Sequence, residues 1–180
     1  DSGVYPKFVF AHVLSPHPPF VFGPQGEKVS PMDNYAIWDG SHLLQRAKWS
    51  SAKYVQGYTG QVTYLNTLVL AAIDHVLATS PTPPIIVIQA DHGPGSRLNW
   101  NSYEKTYVPE RMSILNAYYF PDQDYAALYP EITPVNTFRV ILDQYFGQEY
   151  PILEDRSFFS LWETPYEFID VTEEVRSPSE

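Results

Sequence analysis

The chain has 180 residues, enough for one domain with a sizeable core, and 44% of them are hydrophobic, which excludes a disordered chain. Its formal net charge is -10, from 21 acidic against 11 basic residues, so no basic stripe is present to neutralise nucleic-acid phosphates. With no cysteine there is neither a disulfide framework nor a thiol nucleophile.

The chain opens Asp1-Ser2-Gly3, without an initiator Met or a signal-peptide pattern, and so reads as a piece of a longer protein. Residues 8–14 (F-V-F-A-H-V-L) predict a strand too apolar for a solvent-facing edge. Residues 15–19 (S-P-H-P-P) then form a rigid turn around His17. Residues 21–41 are rich in Gly, Pro, Asp and Asn and read as an extended loop. The strongest helix signal covers 54–78, with an apolar stripe of Val62, Leu65, Val69, Ala72 and Val76 widened by Leu68 and Ile73. No uninterrupted apolar stretch approaches the roughly 20 residues of a bilayer span, so the piece is expected to be soluble and without membrane contact of its own.

Residues 85–90 (I-I-V-I-Q-A) read as a buried, central strand of a mixed or parallel sheet. A second strand is expected at 112–120, closed by Pro121-Asp122. A helix follows from Thr133 as N-cap and Pro134 at N1 to Gly147 as C′, its buried face made of Val135, Phe138, Ile141 or Leu142, and Tyr145. Residues 161–180 thin into Glu, Ser and Pro and read as a peripheral strand and acidic tail. This order predicts an α/β domain, with a mixed, mostly parallel sheet flanked by helices.

The chemistry gathers at Asp91-His92-Gly93, directly after the 85–90 strand, where ligands bind in open α/β sheets. Asp and His are a ligand pair suited to zinc or manganese, although an isolated D-H-G is more often a helix cap and turn. His17, flanked by prolines, has its orientation set by the backbone, as a substrate-facing residue requires. His12, in the 8–14 strand, is a core histidine on its own merits, and Arg97 is the nearest cation to the Asp-His pair.

Five segments occur in a familiar order: F-V-F-A-H-V-L-S-P-H-P-P-F (8–20), Y-T-G-Q-V-T-Y-L-N (58–66), I-I-V-I-Q-A-D-H-G-P (85–94), E-R-M-S-I-L-N-A-Y-Y-F-P (110–121) and T-P-V-N-T-F-R-V-I-L-D-Q-Y-F-G (133–147). Together they resemble the C-terminal half of the sulfatase-like branch of the alkaline phosphatase superfamily. Its members include arylsulfatases, lipoteichoic acid synthases and phosphoethanolamine transferases. The resemblance runs from about residue 7 to 160, so residues 1–160 are read as a partial, alkaline-phosphatase-like domain.

It implies Asp91 and His92 as metal ligands for zinc, manganese or calcium, and His17 as the catalytic histidine at the transferred phosphate or sulfate. His12 and Arg97 are expected to assist in binding the ester. The acidity of the chain does not exclude such an anion, because a metal inverts the local field. By the same resemblance, a metal-activated hydroxyl attacks the ester in line and forms a covalent intermediate. That nucleophile, with a further acidic ligand, belongs to the N-terminal half of the domain, so the fragment is expected to be inactive alone and, with two ligands in place of a full set, to bind metal poorly or not at all. Ser96 follows the Asp-His pair and is not the nucleophile. Asn66 stands where many relatives carry Asp, and no His follows closely after Asp-His-Gly as in the transferases. The parent is expected on the extracytoplasmic face of a bacterial membrane. The alternatives are a degenerate domain or a glycan-binding module built on Trp100, Tyr103, Tyr107, Tyr118 and Tyr119.

Overall fold

Short apolar runs separated by prolines produce short elements. The computed structural model describes residues 6–29, 39–45 and 48–178. Among them the elements run α1 (Gly40–Gln45), α2 (Ser51–Thr79), β1 (Ile86–Gln89), α3 (Val108–Met112), β2 (Asn116–Tyr119), α4 (Pro134–Phe146), β3 (Phe158–Phe159), β4 (Ile169–Asp170) and α5 (Thr172–Arg176).

The expected mixed, mostly parallel sheet is corrected. β1 pairs antiparallel with β2, Ile86 opposite Tyr119 and Gln89 opposite Asn116, and β3 pairs antiparallel with β4. A parallel neighbour needs a long crossover helix, but the β1–β2 connection holds only the five-residue α3 and turns the chain back. All residues of β1 and β2 are half-buried. Ile85, Val87 and Tyr118 pack on Phe120, Val140 and Ile141. An all-apolar run signals burial, but it does not distinguish a sheet between two helix layers from a ribbon against one.

The 8–14 run forms no strand. It is extended and exposed, Phe8 at 81% and Phe10 at 80%. α2 covers the predicted 54–78 helix and is capped by the Ser50 hydroxyl, which accepts from the Lys53 N–H at 3.2 Å. Its buried face, however, is Tyr54 and Gln61, with Tyr58 packed beside them, while Leu68 and Val76 are exposed. The pattern Tyr54, Tyr58, Gln61 also has helical spacing, and the aromatic rings rather than the aliphatic stripe find partners in Phe20 and Leu43. By length and composition α2 is long and apolar enough to cross a membrane, and its apolar stretch is not buried. Counting uninterrupted apolar residues missed this because Asn66, Thr67 and Asp74 break the run.

α4 starts and stops where predicted, with Gly147 left-handed at φ 59°. Its buried side is rotated from the expected one: Asn136, Thr137, Val140 and Ile141 are inside, whereas Val135 and Phe138 are about half exposed. The reason is a polar hub. Asn136 donates to Tyr129, to the Leu153 carbonyl and to Asp155, and Leu153 N–H donates back to Asn136 Oδ1. The segment read as a peripheral strand and tail carries β4 and α5, and Val171 joins Leu98, Val108 and Phe159 in a buried cluster.

Candidate functional site

The loop after β1 is pinned from several sides. The Gly93 N–H donates to the Arg111 carbonyl at 2.7 Å. The Gly93 carbonyl in turn accepts from Arg111 Nη1 at 3.0 Å and from His92 Nδ1 at 2.9 Å. A Cβ at Gly93 would lie 2.1 Å from the Glu110 carbonyl oxygen and 2.5 Å from that of Ser113, so only glycine fits. Two residues on, the Gly95 N–H donates to the Tyr54 hydroxyl at 3.2 Å, tying the loop to α2. Burial pushes that phenol up to about 12, against the lowering effect of the Gly95 bond.

This frame leaves Asp91 and His92 exposed, their side chains 86% and 41% accessible. A carbonyl oxygen only accepts, so His92 Nδ1 carries a proton, and Nε2 is the ring nitrogen that faces Asp91. His92 Nε2 lies 3.5 Å from Asp91 Oδ2, which is also the spacing of an ion pair when the ring is protonated. Metal bonds of about 2.0–2.2 Å at a tetrahedral angle place two ligand atoms roughly 3.3–3.5 Å apart. The pair therefore has the bite of a divalent-metal site, and the Nδ1–H bond to a backbone carbonyl is the usual outer support of a ligating histidine. Among the described residues no group of three His, Cys, Asp or Glu gathers around the pair.

Beneath the pair lies a charge cluster that the sequence reading missed. Asp39 Oδ1 accepts from the Ser41 N–H at 2.6 Å, and Oδ2 from Trp100 Nε1 at 2.8 Å. Arg111 Nη2 stands 3.8 Å from Asp39 Oδ2, and its guanidinium lies 5.6 Å from the Trp100 ring centroid. Burial raises the Asp39 carboxyl, but the bonds from Ser41 and Trp100 and the charge of Arg111 outweigh it and hold it below the ordinary range. Burial likewise pulls Arg111 down, against support from Asp39 and Asp91. Asp91, His92, Trp100 and Arg111 line one end of an open cleft of about 1190 Å³, with Tyr118 and Asp155 further along it. Asp39 and Arg111 are too far apart in sequence for any spacing rule to join them.

His17 sits in the Pro-rich turn, which has cis bonds at Ser15-Pro16 and Pro18-Pro19. Its Nδ1 donates to the Pro18 carbonyl at 2.6 Å, which fixes the ring and leaves Nε2 outside that bond. Gln61 fastens the turn to α2: its amide reaches the His17 carbonyl at 3.4 Å, and its Oε1 accepts from the Val21 N–H at 2.8 Å. Gln61 and Tyr54 are two helical turns apart on one face. The anchor of the His17 turn and that of the Asp91 loop are therefore about 10 Å apart along α2. Among the described residues no hydrogen bond, ion pair or ring contact joins His17 or His12 to the Asp91–His92 pair. His12 is exposed beside Phe10, their ring centroids 6.5 Å apart.

Arg97 is engaged elsewhere. Its Nε bonds Glu110 at 2.7 Å and its guanidinium covers Tyr107 at 3.6 Å. Ser96 donates to the same Glu110 at 2.5 Å. The five aromatics of the glycan-binding alternative are half-buried. Trp100 and Tyr103 pack around Phe159, and Tyr118 around Phe120. Comparison with family models, curated proteins and solved structures finds no match to this chain.

Proposed function

We propose that this chain carries part of the active site of a sulfatase-like, metal-dependent enzyme that hydrolyses or transfers phosphate or sulfate esters. Asp91 and His92 are its contribution to the metal, and His17 its contribution to the ester group. The observation that carries this reading is the 3.5 Å separation between Asp91 Oδ2 and His92 Nε2. A bound divalent metal would neutralise ester oxygens and lower the pKa of an attacking hydroxyl.

The reading rests on these side chains and not on sheet architecture. The remaining ligands and the nucleophile belong to a preceding half of the same domain, on the extracytoplasmic side of a bacterial membrane. The exposed apolar 6–14 segment and the uncovered flank of α2 support such a missing packing partner, because contiguous apolar surface of this kind is covered in stable domains.

Paramagnetic broadening by Mn²⁺ tests the proposal in this chain. The ion should selectively broaden the His92 ring signal next to Nε2 and the Asp91 backbone amide, and Asp91→Ala/His92→Ala should remove the effect. Broadening spread evenly over the acidic surface, or unchanged in that variant, overturns the assignment.

A further inference from the structure

Arg111 is a guanidinium with donors to spare. Its side chain is only 13% accessible, yet among the described residues it makes one hydrogen bond, from Nη1 to the Gly93 carbonyl. Its nearest carboxylate, Asp39, is 3.8 Å away and already accepts from Ser41 and Trp100. A guanidinium has five N–H donors in a fixed fork, and the unbonded ones of Arg111 are not sealed from solvent, so a ligand can reach them. The group lines the cleft beside Asp91 and His92, and the Gly93 N–H bond to its own carbonyl fixes its backbone to their loop.

We infer that Arg111 is the residue that grips the anionic ester group next to the Asp91–His92 pair, through one or two oxygens of a phosphate or sulfate. This rests on the metal-site reading above and adds the substrate-binding cation that it lacks. The fork suits a tetrahedral oxyanion better than a point charge does. Without metal, the carboxylates of Asp39 and Asp91 outweigh Arg111 by one charge, which weakens its hold on an anion without removing it. A divalent cation reverses that balance, so metal and oxyanion binding are linked, each strengthening the other.

The test uses Zn²⁺ and inorganic sulfate at constant ionic strength, followed by the Arg111 Nε–H and His92 ring signals in NMR. With Zn²⁺ present, sulfate should shift the Arg111 signal saturably, at least about tenfold more tightly than without metal. Arg111→Gln should abolish the sulfate response while leaving the Zn²⁺ effect at His92. Arg111→Lys, which keeps the charge but not the fork, should bind sulfate about tenfold more weakly than the parent. Amide dispersion verifies that each variant is folded.

Zn²⁺ binding with an unchanged sulfate response in Arg111→Gln overturns the inference and leaves the metal site standing. Loss of the response in Arg97→Gln instead moves the role to Arg97 and has the same consequence. If Zn²⁺ leaves His92 untouched, the metal reading fails. A saturable sulfate shift lost in Arg111→Gln then still supports Arg111, and no shift overturns both.

Discussion

Two charged centres face the same cleft and differ in one respect, the saturation of their hydrogen bonds. Asp155 accepts from the Tyr129 hydroxyl at 2.5 Å, the Thr133 N–H at 2.7 Å, the Thr133 hydroxyl at 2.6 Å and Asn136 Nδ2 at 3.1 Å. These bonds use the lone pairs of the carboxylate and cap the start of α4. Among the described residues the Arg111 centre leaves most of its fork unspent, and Asp91 Oδ2 and His92 Nε2 stand 3.5 Å apart at the surface. The first centre is complete and holds the fold. The second is held by its backbone and leaves its side-chain tips open to the cleft, as the proposed ligand site requires.

Substitutions sharpen this contrast. The largest effect is expected at Gly93, where Ala drives a Cβ to 2.1 Å from a carbonyl oxygen. Gly93→Ala should cost about 3–4 kcal/mol in urea unfolding and erase selective Mn²⁺ broadening as well. A variant with parental stability would show that the loop is loose. Next comes Asp155→Ala, which strands the Thr133 N–H and the Asn136 amide. About 2–3 kcal/mol should be lost with the Mn²⁺ response intact, and loss of that response would merge the two centres into one.

The same carboxylate sets a pH dependence. Burial alone would raise Asp155, but the bonds from Thr133, Tyr129 and Asn136 prevail and hold it below the ordinary range. A carboxylate lowered on folding adds stability that is present above its unfolded value, about 3.9, and is lost as pH falls through the folded one. Urea midpoints should therefore fall between about pH 5 and pH 3, and less steeply in Asp155→Asn. Equal slopes would remove Asp155 from the account.

Smaller still, Tyr54→Phe takes away the acceptor for the Gly95 N–H and should cost about 1 kcal/mol. Arg97→Gln breaks an exposed pair with Glu110 and should cost under about 1 kcal/mol. A larger loss there would mean that Arg97 anchors the loop. Finally, the chain should not turn over aryl phosphates or sulfates with zinc, manganese or calcium. Turnover abolished by Asp91→Ala would show that the nucleophile lies within these residues.

The local signals were legible. Thr133-Pro134 and Gly147 bracket α4 because cap chemistry depends on a few adjacent residues. Asp91-His92 stood out because both donors lie next to each other after an apolar run. Phase was misread wherever polar or aromatic side chains displaced aliphatic ones from the interior. Asn136 turned α4 through its bonds to Asp155 and Tyr129, and Tyr54 and Gln61 turned α2. Hydrophobic spacing gives such residues no credit until their partners are known.

The sequence alone settled the span of α2, the two ends of α4 and the adjacency of Asp91 and His92, since propensity, caps and adjacency act over a few residues. Strand direction, the exposed course of 8–14 and the meeting of Asp39, Trp100 and Arg111 were decided only by the tertiary structure. Each depends on which distant surfaces are present to pair with, and no local pattern encodes that.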